Sequence, residues 1–114
     1  MTAGRGIVHA EMPASADVSH GLQLWVNLPK KDKFVSPRYQ EYLDKDVPRA
    51  VADGVSVKVI AGESLGVNAK VHTYIPIFYL DFKMVPGKTF TQVGIPHIVR
   101  GCFSSCINRE SSIK

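Results

Sequence analysis

Phe78-Tyr-Leu-Asp-Phe-Lys-Met84 alternates without a break, with Phe78, Leu80, Phe82 and Met84 on one face and Tyr79, Asp81 and Lys83 on the other. A two-residue period belongs to a strand with one side on a core and the other in water. Pro86-Gly87 ends it in a turn, and residues 88–92 begin a further extended stretch. Upstream, Asp53-Gly54 is the dipeptide of a tight hairpin turn. Directly after it, Val55, Val57 and Val59 alternate with Ser56, Lys58 and Ile60. Between these two strands lie a glycine-bounded loop, residues 61–66, and a short extended stretch to Val71.

Farther from that centre the pattern repeats. Leu22-Gln-Leu-Trp-Val-Asn-Leu28 sets Leu22, Leu24, Val26 and Leu28 against Gln23, Trp25 and Asn27. Gly6-Ile-Val-His-Ala-Glu-Met12 predicts another strand, with Ile7, His9 and Glu11 on one face. Residues 13–20, small and polar, suit the loop joining the two. From Pro29 the character changes: Lys30, Lys31 and Lys33 mark a charged turn, and residues 37–43 suit one or two turns of helix with Pro37 near its start. Residues 44–53 are charged, contain Pro48 and read as a connector at a domain boundary or crossover. Past Gln92 the alternation stops. About five strands and no long helix give an all-β chain, of the sandwich or barrel kind.

Composition agrees. The chain has 114 residues, 45% hydrophobic and 21% charged, which suits one globular domain rather than a disordered segment. Seven prolines and nine glycines favour turns over long helices. No apolar run is long enough for a membrane span. The first residues lack the apolar stretch of a secretory leader, and Thr2 stands where myristoylation needs glycine. There are only two cysteines, Cys102 and Cys106, and Asn27, Asn68 and Asn108 all fail the glycosylation pattern, so a reducing, intracellular setting is expected. The net charge of +4 is too mild to argue for nucleic acid.

Of the chemistry-bearing residues, His9-Ala-Glu11 is the most suggestive pair. On a strand the imidazole and the carboxylate share a face about 7 Å apart, and two such donors suit part of a non-haem iron site, which needs a third. From spacing alone, an exposed polar strand face is the commoner source of such a pair. His20, His72 and His97 show no ligand spacing with His9. His97, Cys102 and Cys106 give three candidate zinc ligands where a structural site uses four, and two free thiols account for them better. The glycine loop lacks the Gly-Lys-Ser/Thr ending of a phosphate-binding loop, and the three lysines suit a solvated turn. No nucleophile elbow or catalytic carboxylate pair is present.

Read as phrases, the sequence resembles the pirin family. Met1-Thr-Ala-Gly-Arg-Gly-Ile-Val-His-Ala-Glu-Met-Pro13 is similar to the family signature. Gly21-Leu-Gln-Leu-Trp-Val-Asn-Leu28, Pro37-Arg-Tyr-Gln-Glu41, Asp53-Gly-Val55, Val59-Ile-Ala-Gly-Glu63, Tyr79-Leu-Asp-Phe82 and Pro86-Gly87 follow in family order. The resemblance runs from residue 1 to about residue 92. It implies a partial bicupin, made of jelly-roll β-barrel pieces from two cupin domains. Residues 1–50 would be the later part of the first cupin with its linker, residues 51–92 the start of the second, and residues 93–114 a tail outside the family frame. It also implies an iron cofactor held by three histidines and a glutamate, with His9 and Glu11 as two of the four ligands. Family members are nuclear proteins acting with transcription factors of the NF-κB/Rel type, and some cleave flavonols as quercetin 2,3-dioxygenases.

This sequence also departs from the family. The His-x-His that would supply the other two ligands occurs nowhere in it, and His72-Thr-Tyr-Ile-Pro76 replaces the family's usual Tyr-Thr-Arg-Thr-Pro. The resemblance therefore implies a pirin-like, iron-linked transcription coregulator of nucleus and cytoplasm, present here as a piece truncated at both ends. Neither membrane association nor sequence-specific nucleic-acid binding is expected. A flavonol dioxygenase and an inactive truncated product are the alternatives, and dioxygenase activity is not expected with two ligands missing. Half-built barrels leave strand edges unpaired, so marginal stability and self-association are expected as well.

Overall fold

The computed structural model describes residues 1–18 and 21–94. Its centre is a three-stranded antiparallel sheet, built from β1 (Arg49–Ala52), β2 (Val55–Ala61) and β5 (Tyr79–Met84) in the order β1-β2-β5. A two-stranded ribbon of β3 (Glu63–Ser64) and β4 (Val67–Asn68) follows β2. Short 3₁₀ turns occupy Lys30–Asp32 and Asp44–Asp46. The chain is all-β, as its alternating stretches predict.

The hairpin β1-β2 forms where Asp53-Gly54 predicts it. Both turn residues have positive φ, 43° and 77°, the backbone that a two-residue turn needs to match the twist of its strands. β2 is the central strand because its β-branched valines repeat every second residue: Val55, Val57, Val59 and Ala61 are buried, while Ser56, Lys58 and Ile60 are half-buried on the other face. The register sets Val57 opposite Ala50 and Phe82, and Val59 opposite Leu80. Phe90 closes on this apolar face, its ring 5.2 Å from that of Phe82.

The sheet departs from the simple alternation at one place. A bulge in β2 between Val59 and Ala61 brings Tyr79 opposite Ala61, directly after Leu80 opposite Val59. Tyr79, expected on the outer face, is accordingly half-buried, and Met84, expected inside, is 44% exposed at the far end.

Four other expectations change. Residues 6–12 and 22–28 are not strands: no partner lies beside either among the described residues, and Val8 and Trp25 are 100% and 88% exposed. Alternation specifies which face a strand would bury, but a strand forms only against a neighbour that takes its hydrogen bonds. Residues 37–43 are extended rather than helical, because Arg38 forms an antiparallel bridge with Thr2, and Gln40 and Tyr42 bond to backbone across the fold. The connector at residues 44–53 contains a strand, β1. Its Arg-Ala-Val-Ala sequence has no polar alternation to announce it, and pairing with β2 defines it. Residues 88–92 are not a strand either: Gln92 turns back on β3, accepting from the Ser64 hydroxyl at 2.7 Å and donating to the Glu63 carbonyl.

Candidate metal centre

His9 and Glu11 stand on the irregular stretch that follows the Thr2–Arg38 bridge. That stretch is pinned at its start, where the Arg5 N–H donates to the Val35 carbonyl at 3.1 Å, and beyond residue 7 its side chains are exposed. Both candidate ligands are therefore in water, not in a walled pocket.

The carboxylate is already engaged. The Gln23 amide lies 2.8 and 2.6 Å from the two oxygens of Glu11, donating to the carboxylate. The Trp25 indole N–H donates in turn to the Gln23 carbonyl oxygen at 3.2 Å. A line of three polar groups thus joins residues 22–28 to the irregular stretch that carries the candidate ligands. The alternation of residues 22–28 carries a signal for it: Gln23 and Trp25 share the polar face, although nothing in the spacing says that this face meets Glu11.

The remaining candidates stay apart. His72 is exposed, its ring edge-on to Tyr74 with centroids 5.4 Å apart, and its backbone is clamped by Gln40. His20, His97, Cys102 and Cys106 lie outside the described residues, as do residues 95–114 of the expected 93–114 tail. Among the described residues, no group of three or more histidines, cysteines or carboxylates comes together to hold a metal. Iron needs at least three protein donors. His9 and Glu11, with the carboxylate occupied by an amide, do not fit an iron ion by themselves.

A second charged cluster lies on the polar face of the sheet, unforeseen in the sequence. Asp44 accepts from Arg49 at 2.6 Å and Lys58 at 2.8 Å, and Lys58 reaches Asp81 at 4.0 Å. The Lys58 hydrogen bond leads the causes that hold the Asp44 carboxyl below the ordinary aspartate value, with the charges of Arg49 and Lys58 adding to it against partial desolvation. Every partner here is satisfied within the cluster, so it reads as a strap across β1, β2 and β5. The lysines at 30, 31 and 33 are exposed around their 3₁₀ turn, with Lys33 donating to Asn27, as a solvated turn requires.

Comparison with known proteins places the chain. Human pirin is 55% identical over 92 residues, covering 81% of this chain and 32% of its own length. A pirin-like protein of Solanum lycopersicum is 56% identical over 92 residues with the same coverage. Pirin-like protein 2 of Arabidopsis thaliana is 51% identical over 92 residues, 28% of its length. The chain spans about a third of the length of the curated relatives it matches. No family model matches it.

Proposed function

Since about four fifths of this chain is pirin-family sequence, we propose that it acts as part of a pirin-type, iron-linked transcription coregulator, working in nucleus and cytoplasm on factors of the NF-κB/Rel type. His9 and Glu11 are two ligands of the iron, and water or donors from another chain complete its shell. Residues 1–50 and 51–92 belong to successive cupin units. Iron is the group through which such a protein would sense redox state, and this chain's own part is to present an imidazole and a carboxylate and to hold the carboxylate in place through Gln23.

The observation that carries this proposal is the 92-residue match at 51–56% identity to proteins named pirin or pirin-like. At that identity the backbone course of the matched segment is shared, and this is what supports a binding partner in common. Among the described residues no helix is long and apolar enough to cross a membrane.

Two measurements test it. A purified Rel-type DNA-binding region is expected to be captured by the immobilised chain, and the absence of capture at micromolar concentrations overturns the coregulator assignment. Elemental analysis after incubation with Fe(II) and desalting is expected to find far less than one iron per chain. One tightly held iron per chain, lost in His9→Ala, would show that the two ligands are completed within the chain.

A further inference from the structure

The Thr2–Arg38 bridge draws together two segments that are far apart in the chain. Thr2 and Arg38 exchange backbone hydrogen bonds at 2.8 and 3.1 Å, and the Arg5 N–H donates to the Val35 carbonyl at 3.1 Å. Ser36 lies between these contacts, exposed and outside any strand or helix. Pro37 follows it, and no other serine or threonine of the chain precedes a proline. Charge is concentrated here as well. Residues 1–10 and 30–40 hold Arg5, Lys30, Lys31, Lys33 and Arg38 against one carboxylate, Asp32, an excess equal to the net charge of +4 of the whole chain.

We propose that Ser36 is a phosphorylation site for a proline-directed serine/threonine kinase, and that its phosphate docks between Arg5 and Arg38 to fasten the bridge. The γ-phosphoryl group of ATP passes to the Ser36 Oγ. A phosphate ester forms as the β–γ anhydride bond breaks, ADP leaves, and the hydroxyl proton goes to the catalytic aspartate of the kinase. Pro37 suits such an enzyme in two ways. It holds the residue before it extended, the form in which a kinase cleft takes its substrate. It also has no N–H, so a kinase pocket that offers no acceptor to the next backbone nitrogen loses nothing on this chain.

Charges already in place receive the phosphate. Along an extended chain, residues two apart share a face at a separation of about 7 Å, which brings the Arg38 guanidinium within reach of Ser36. Arg5 comes to the same place from the paired segment, through its bond to Val35. A phosphoserine carries a charge between about −1.5 and −2 and three acceptor oxygens, and a planar guanidinium donates to two of them at once. Five cations drawn together repel one another, so the added charge favours the closed bridge. That bridge pins the start of the stretch that carries His9 and Glu11. Thr2, the other hydroxyl at the bridge, is half-buried and is followed by Ala3.

Mass spectrometry of the full 114-residue chain, incubated with ATP and a purified cyclin-dependent kinase, tests the site. One phosphate is expected, on Ser36, with none on Ser36→Ala and an initial rate about tenfold lower or more for Pro37→Ala. Amide hydrogen exchange tests the docking. Phosphorylation is expected to slow exchange at Thr2 and Arg38 about threefold or more, less so at raised salt, and less so in phosphorylated Arg5→Gln of unchanged circular dichroism. No phosphate on Ser36, or an equal rate for Pro37→Ala, overturns the site. Phosphate on Ser36 with unchanged exchange overturns the docking, and so does a slowing that Arg5→Gln and Arg38→Gln both leave intact.

Discussion

Gly62 leaves β2 with a φ of +83°, and a Cβ built on it would meet the Ile77 carbonyl oxygen at 2.6 Å as well as the ring of Phe78. Conformation and contact both exclude a side chain there. Gly62→Ala is expected to destabilise the fold by about 2 kcal/mol or more, read as a lower urea midpoint at unchanged slope. Asp44 acts through charge instead. Its folded-state pKa is lowered, so its contribution is present above the unfolded aspartate pKa and is lost as pH falls through the lower folded value. Between neutral pH and about pH 3, the urea midpoint of the wild-type chain should therefore fall further than that of Asp44→Asn. Equal falls would mean that the Arg49 and Lys58 contacts add nothing to stability.

At the scale of elements, β2 does most of the holding. Val57 is 1% exposed between Ala50 and Phe82, while Val51, on the other face of β1, is 76% exposed. Truncation to alanine should cost about 2 kcal/mol at Val57 and less than about 0.5 kcal/mol at Val51; equal costs would mean that the valine face is not the core. The elements differ in how far their residues announce them. Asp53-Gly54 and the valine alternation carry the hairpin turn and β2 whole, because turn backbone and burial period are both local properties. β1 is silent, since Arg-Ala-Val-Ala takes its strand form from pairing alone. Residues 6–12 and 22–28 err the other way: their alternation is genuine, but a period says nothing about whether a neighbour is there to pair. The candidate site suffers from the same gap. His9 and Glu11 are legible as ligand types, and so is the want of further donors spaced to join them, but a coordination shell is a tertiary property and the Gln23 contact cannot be read from spacing.

For the whole molecule, four buried apolar side chains among the described residues make a small core. Leu22, Trp25 and Phe34 are exposed by 81%, 88% and 83%. The apolar area withdrawn from water is thus modest against the conformational entropy lost by ordering the chain. The isolated chain should unfold in urea with a stability below about 5 kcal/mol and bind a hydrophobic dye such as ANS before the transition. A sharp transition well above that value, with no dye binding, would show that the exposed side chains find cover.

The order of the strands along the chain also governs the order in which time assembles them. β1 and β2 are separated by a two-residue turn, and a hairpin of that kind closes within microseconds. β5 begins at Tyr79, beyond the ribbon and the loop that follow Ala61, and its docking must first close that span. A nascent chain therefore holds the valines of β2 on an open hairpin before Leu80 and Phe82 arrive to cover them. Whatever escorts this chain in the cell meets it at that moment, with its stickiest strand formed and its shield not yet in place.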